Sequence, residues 1–175
     1  VCKAGAGFDW DKLIWLNGQV LHALPAQQLL DDLRPLWAEQ GWALPHDSSW
    51  GLELCELLGP SLTLLKDGVE QATPFFKCPD LEDDGVRQLE ADGARTAVAQ
   101  LLQLLEAEPW DGKNTDRAKQ LLGDTAQGAG VKKGVVMKSL RAALLGRLQG
   151  PDLITTWCLL ARIGEDLPRL QRCLA

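Results

Sequence analysis

A chain of 175 residues can build a real core, and 46% apolar against 24% charged residues fits a globular protein. Tyr is absent and Phe occurs only three times, while Leu, Ala, Gln and Glu abound, so sheet is disfavoured and helix favoured. The net charge of −6 argues at first against a polyanionic partner, and no run of about 18 apolar residues exists to form a membrane-spanning helix.

The opening VCKAGAG lacks the apolar run of a signal peptide, and Val at position 1 leads us to expect an engineered or a processed piece. Asp9 is a helix cap, followed by Trp10, Leu13 and Ile14 at helical spacing, with Asn17-Gly18 as the stop. A second helix enters at Leu24-Pro25. Its stripe is Leu29, Leu30, Leu33, Leu36 and Trp37, with an end or bend expected at Pro35. Residues 42–48 read as a loop. WGLELCELLGP is a helix ending at Gly59-Pro60, and a short helix is expected from Ser61 to Lys66. Pro74 and Pro79 mark a break in ATPFFKCPDLEDDG, which places a boundary between two subdomains, 1–79 and 80–175, with Phe75 and Phe76 plugging the junction.

Residues 84–108 read as one long helix closed by Pro109, with Leu89, Ala97, Val98, Leu101, Leu102, Leu104 and Leu105 inward. The next helix is capped at Asn114 or Thr115 and ends in a Gly-rich turn. A basic turn carrying Lys132 and Lys133 then leads into a helix expected from about Ser139 to Leu148. Gly150-Pro151-Asp152 opens another helix, with Pro151 in its first position and Leu153, Ile154, Trp157, Cys158, Leu160 and Ala161 inward. EDLPRLQRCLA closes the chain as a short helix. The fold class expected is all-α, as two small helical subdomains in tandem.

Catalytic constellations are missing. His22 and His46 stand apart from any nucleophile setting, GAGVKKG lacks phosphate-loop spacing, and Glu82, Asp83 and Asp84 lack calcium-loop spacing. Cys2, Cys55, Cys78, Cys158 and Cys173 are scattered with no CxxC pair. No disulfide framework or zinc site is expected, and a reduced, cytoplasmic compartment is the simpler reading. The seven tryptophans fall mostly on apolar helix faces and read chiefly as core.

Charge distribution reopens the question of a polyanion. Residues 1–110 carry 7 basic and 18 acidic side chains, whereas residues 111–175 carry 11 basic and 6 acidic ones. Lys132, Lys133, Lys138, Arg141 and Arg147 fall in a stretch without acids, and Lys138 and Arg141 share a helix face. A helix start at Pro151, with free amides at Asp152 and Leu153, beside an arginine, is the kind of element that holds a phosphate or a base edge of a single-stranded RNA loop. The residues alone leave two other readings open. Arg141 can be an ordinary surface ion-pair former and GPDL a plain helix start, or the basic end can dock an acidic protein, making the chain a helical adaptor.

Two segments carry a family likeness. FDWDKLIWLNGQVLHALPAQQLL resembles the FxxxKLxWxN region of bacterial glutamyl-tRNA synthetases, and KGVVMKSLRAALLGRLQGPDLITTWCLLARIGEDLPRLQRCL resembles that family's C-terminal anticodon-binding region. In the latter, a basic turn, an LRxALxG helix and a GPxL helix start follow in order. The resemblance implies two tandem helical subdomains of the α-helix-cage type and a monomer that binds glutamate tRNA. It also implies a parent enzyme that uses ATP and Mg to ligate glutamate to tRNA. The His-Ile-Gly-His and Lys-Met-Ser-Lys-Ser type signatures of the ATP site are missing, so this segment is expected to be non-catalytic and to hold no cofactor.

By position, the resemblance puts Arg141 against the first anticodon base. It puts Gly150, Pro151, Asp152 and Leu153 against the first two, while the charge of the 132–147 band assigns Lys132, Lys133, Lys138 and Arg147 to the RNA backbone. Where members restricted to glutamate tRNA carry an arginine for the third base, this chain has Ser61. Serine cannot make the bidentate fork, which predicts that glutamine tRNA is accepted as well. Ser139 stands where the family usually has Pro, and it reads as a helix cap.

Overall fold

The computed structural model describes residues 9–175; the opening VCKAGAG, including Cys2, and Phe8 lie outside the described residues. Ten α-helices and one 3-10 turn, without strands among the described residues, form two compact units, Val1–Ala72 and Thr73–Ala175.

The first unit contains α1 (Trp10–Ala23), α2 (Ala26–Glu39), α3 (Ser48–Leu58), a 3-10 turn (Gly59–Ser61) and the start of α4 (Asp67–Phe76). Asp9 caps α1 by accepting from the Lys12 amide at 3.1 Å. The helix does not stop at Asn17-Gly18. Gly18 is buried, and a Cβ there would stand 3.5 Å from the Thr63 backbone. The Asn17 side-chain amide donates to Thr63 O at 2.6 Å, and His22 Nε2 meets Leu62 O at 2.7 Å. The pair thus serves close approach to a neighbouring segment, and tertiary contact overrides its turn preference. Pro35 likewise sits inside α2 and does not end it. Leu33 and Trp37 on either side are buried, and Trp37 Nε1 donates to Gly68 O at 3.1 Å, so packing offsets the hydrogen bond that Pro35 removes.

No helix spans Ser61 to Lys66. Those residues form the end of the 3-10 turn and a bend, and the following helix starts only at Asp67, whose carboxylate accepts from Thr63 Oγ1 and the Leu64 amide. Pro74 lies within α4 rather than in a break, and Phe75 is buried. Of the tryptophans, Trp37, Trp50 and Trp157 are fully buried and Trp42 and Trp110 half-buried. Trp10 and Trp15 are exposed on α1, so the expected inward face of Trp10 and Leu13 is open in the described residues.

The second unit holds α5 (Asp83–Glu90), α6 (Ala94–Ala107), α7 (Thr115–Ala129), α8 (Lys133–Leu145), α9 (Leu153–Arg162) and α10 (Asp166–Arg172). The expected single helix over 84–108 is two helices, because the chain turns at residues 91–93 with Gly93 at φ +79°. Asn114 caps α7 through the amides of Asp116 and Arg117. α8 is the central element: α5, α6, α7, α9 and α10 all pack on it. Its buried side, Val136, Ser139, Leu140, Ala143 and Leu144, meets those neighbours. Ser139 is therefore not a cap; it is a buried mid-helix residue whose hydroxyl accepts from the Gln88 side-chain amide at 3.3 Å.

The end of α8 is held from two sides. Arg169 is 1% exposed, and its Nη1 donates to Leu144 O at 2.8 Å, while Arg172 Nη2 donates to Ala143 O at 3.2 Å. Two cations thus meet the carbonyl end of a helix, where its dipole favours them. On the opposite side, α5 starts against the turn after α8. The Glu82 amide donates to Gly146 O at 2.7 Å, and Asp84 Oδ2 accepts from the Leu148 amide at 3.1 Å. A Cβ on Gly85 would lie 2.2 Å from Gly146 O, and one on Gly146 (φ +75°) would lie 2.1 Å from Asp80 O. Only glycines allow this approach.

Candidate nucleic-acid interface

The helix bearing the basic residues begins earlier than its sequence suggests. Lys132 occupies the cap position and Lys133 the first turn, so Gly134, Met137, Lys138 and Arg141 fall at i, i+3, i+4 and i+7 on one stripe of α8. The stripe opposite is the buried one, which turns this set outward. Beyond Gly146 the chain reverses, and residues 148–153 pass across that outward stripe. A cleft of about 510 Å³ results, lined by Gly134, Met137, Lys138, Arg141, Leu148, Gln149 and Leu153. The volume falls in the range of small-ligand pockets, about 300–1,000 Å³.

Arg141 is fastened within it. Its Nη1 donates to Pro151 O at 2.7 Å, and a Cβ on Gly150 would stand 3.2 Å from that nitrogen and 2.7 Å from Leu145 Cδ1. Gly150 thus leaves the room that the guanidinium fills. Half-burial disfavours the charge on Arg141, and the Asp152 carboxylate opposes that effect. α9 starts at Leu153 rather than at Pro151, with Asp152 as its cap: Oδ2 accepts from the Thr155 amide at 2.9 Å and from Thr155 Oγ1 at 2.8 Å. Pro151 precedes the cap. The carboxylate stands where a free anion-binding helix start was expected, so the corner is less inviting to a bare phosphate than the sequence implied.

Among the expected site residues, Lys138, Arg141 and Leu153 line the cleft itself, with Gly150, Pro151 and Asp152 at its edge. Lys132 and Lys133 are exposed at the start of α8, and Arg147 is half-buried just past its end. Ser61 belongs to the first unit, where its hydroxyl donates to Leu58 O at 2.8 Å and meets the Gln71 side-chain amide. The carboxyl-terminal basic surplus is not all surface: buried Arg169 and half-buried Arg172 are bound to backbone carbonyls of the second unit, and Arg117 pairs with Glu108 at 2.8 Å. Sequence reasoning missed Met137, Leu148 and Gln149. A helix start placed at Lys133 would have brought Met137 onto the stripe, whereas Leu148 and Gln149 depend on the turn at Gly146. Among the described residues no group of three or more His, Cys, Asp or Glu side chains could hold a metal, and no helix is long and apolar enough to cross a membrane.

The chain is 94% identical over all 175 residues to a glutamate–tRNA ligase of Parasynechococcus marenigrum, covering 37% of that protein. It is 70% identical over 174 residues to a glutamate–tRNA ligase of a Synechococcus species, covering 36%. It therefore spans little more than a third of the length of the curated relatives it matches. Among solved structures, a glutamate tRNA ligase from Elizabethkingia meningosepticum superposes with a TM-score of 0.82 at 23% identity, over 95% of this chain and 32% of the other, a likeness of fold. The model of the anticodon binding domain matches residues 28–174. With that match covering most of its length, the chain belongs to the anticodon binding domain family.

Proposed function

We propose that this chain is the tRNA-reading part of a glutamate–tRNA ligase, working in the cytoplasm and contributing no catalytic group of its own. The observation that carries the reading is the joint placement of Lys138 and Arg141 with Leu148 and Leu153 in one cleft. Cations attract the RNA backbone, and apolar walls accept a base that has left its stack. Lys132, Lys133 and Arg147 extend the positive surface along α8 and would contact phosphates. Arg141 and the 150–153 segment would meet anticodon bases, as the family resemblance implies. The parent's ATP and Mg chemistry would belong to the rest of the longer protein.

Filter binding of the 175-residue chain to a glutamate tRNA transcript tests the reading. Affinity should fall steeply with added salt and drop when the second anticodon base is changed. Equal binding to unrelated tRNAs would reduce the site to a basic face, the behaviour expected of an adaptor that docks acidic proteins.

Relaxed discrimination forms part of the same reading. Ser61 is short and already engaged with Leu58 and Gln71, so it lacks the fork with which an arginine singles out one base. The full-length protein should load glutamate onto glutamine tRNA as well as glutamate tRNA, and Ser61→Arg should shift loading toward glutamate tRNA. Loading of glutamate tRNA alone by the unaltered protein would remove Ser61 from this role.

A further inference from the structure

We propose that Met137 is the stacking wall of the cleft and a modification site, its conversion to the sulfoxide weakening RNA binding; this rests on the reading of the cleft as an RNA site. Met137 is the single methionine of the chain. Buried methionines pack cores, but this one is 37% exposed and lies on the outward stripe of α8 among the cleft-lining residues. Leu148 and the largely buried Leu153 line the same cleft. Next to Met137 on the stripe is Gly134, where an added Cβ would meet nothing within 4 Å. The helix surface beside Met137 is therefore open at Gly134. An apolar, polarisable thioether in one cleft with two leucines, Lys138 and Arg141 suits a flat aromatic ring attached to an anionic backbone, which is the chemistry of an unstacked nucleotide.

The same exposure makes the sulfur reachable by a peroxide. The sulfur lone pair attacks one peroxide oxygen, the O–O bond breaks, an S–O bond forms and water leaves. Sulfur is oxidised by two electrons and hydrogen peroxide is reduced. The product is polar and accepts hydrogen bonds. Arg141 is four residues on, facing the same way, and Lys138 is adjacent. A sulfoxide oxygen would draw on these donors and take them from the RNA, while its polarity spoils the stacking wall. Methionine sulfoxide reductases reverse the step, which lets the change work as a switch.

The experiment uses the 175-residue chain, hydrogen peroxide and a glutamate tRNA transcript. Intact mass and peptide mapping follow the gain of one oxygen at Met137, and treated samples are then incubated with a thiol reductant to reverse oxidation at Cys78 and Cys173. Oxidised wild-type protein should bind roughly two- to tenfold weaker, the range of one lost sulfur–aromatic contact. Methionine sulfoxide reductase should restore the affinity. Met137→Ala should bind weaker than wild type by a similar factor. Met137→Leu, compared with itself before and after peroxide, should change less than about twofold, since it has no thioether to oxidise. Unchanged binding after complete oxidation, or an equal peroxide-induced loss in Met137→Leu, would overturn the proposal. If Arg141→Ala still weakens binding in that case, the RNA reading stands and only the role of Met137 fails. If neither Arg141→Ala nor oxidation matters, the RNA reading itself fails.

Discussion

Arg141 Nη1 donates to the Pro151 carbonyl oxygen over 2.7 Å, tying α8 to the chain just before α9. The bond fixes the guanidinium plane at the cleft instead of leaving it to sweep through solvent. A lysine ammonium at this position could satisfy the carbonyl or reach a ligand, but it has no planar fork to do both.

Arg141→Ala should therefore weaken glutamate tRNA binding by about 1–3 kcal/mol if the guanidinium meets a base. Arg141→Lys should keep most of the salt dependence yet lose the sensitivity to the anticodon sequence. Filter binding across a salt series checks both, and an unchanged affinity in Arg141→Ala would remove this residue from the site.

Gly150→Ala tests the room left for that guanidinium. The added methyl would press on Leu145 Cδ1 and Arg141 Nη1, both side-chain ends, so the fold should yield while the guanidinium shifts. Weaker tRNA binding with a nearly unchanged melting temperature is the expected result. A large drop in melting temperature would mean that the contact serves stability.

Gly146→Ala should behave in the opposite way. Its φ of +75° is costly for any L-residue, by roughly 1–2 kcal/mol, and the new Cβ would collide with the Asp80 carbonyl, which belongs to backbone. Gly85→Ala strikes the same junction from the α5 side, and overpacking of this kind costs about 1–3 kcal/mol. Urea unfolding should show both variants destabilised, and the double variant losing less than the two single losses together, because one junction is broken in each. Full additivity would indicate two separate contacts.

Two carboxyls give stability opposite pH dependences. Burial pushes Asp166 above the usual 3.8, against hydrogen bonds from Trp157 Nε1 and the Leu167 amide. The folded state holds this proton more tightly than the unfolded chain. Stability is therefore lost as pH rises from 3.8 through the raised folded value, and above it the whole loss is in place. Asp67 is the reverse. Burial works to raise it, but hydrogen bonds from the Leu64 amide and from Thr63 outweigh this and hold it below 3.8. Its contribution is present above 3.8 and fades as pH falls through the lowered folded value. In urea melts between about pH 3 and 7, Asp166→Asn should gain on wild type with rising pH, and Asp67→Asn should lose its disadvantage as pH falls. A pH-independent difference for either variant would contradict its assignment.

What the sequence determined by itself is what rests on neighbours within a turn or two. The caps at Asp9 and Asn114 were legible, because a short polar side chain satisfies amides two or three residues on. The helical class was legible from composition, and so was the shared face of Lys138 and Arg141. Tertiary structure decided where local signals compete with packing. Asn17-Gly18 and Pro35 look like stops, yet α1 and α2 run through them because Gly18 admits the 62–63 segment and Leu33 and Trp37 anchor the helix beyond the proline. The cleft was only half legible for the same reason. Its α8 side follows from helical periodicity, but Leu148, Gln149 and the fastened Arg141 exist as one site only because α5 and α10 pin the turn at Gly146. Contacts between segments dozens of residues apart leave no periodic trace in the chain.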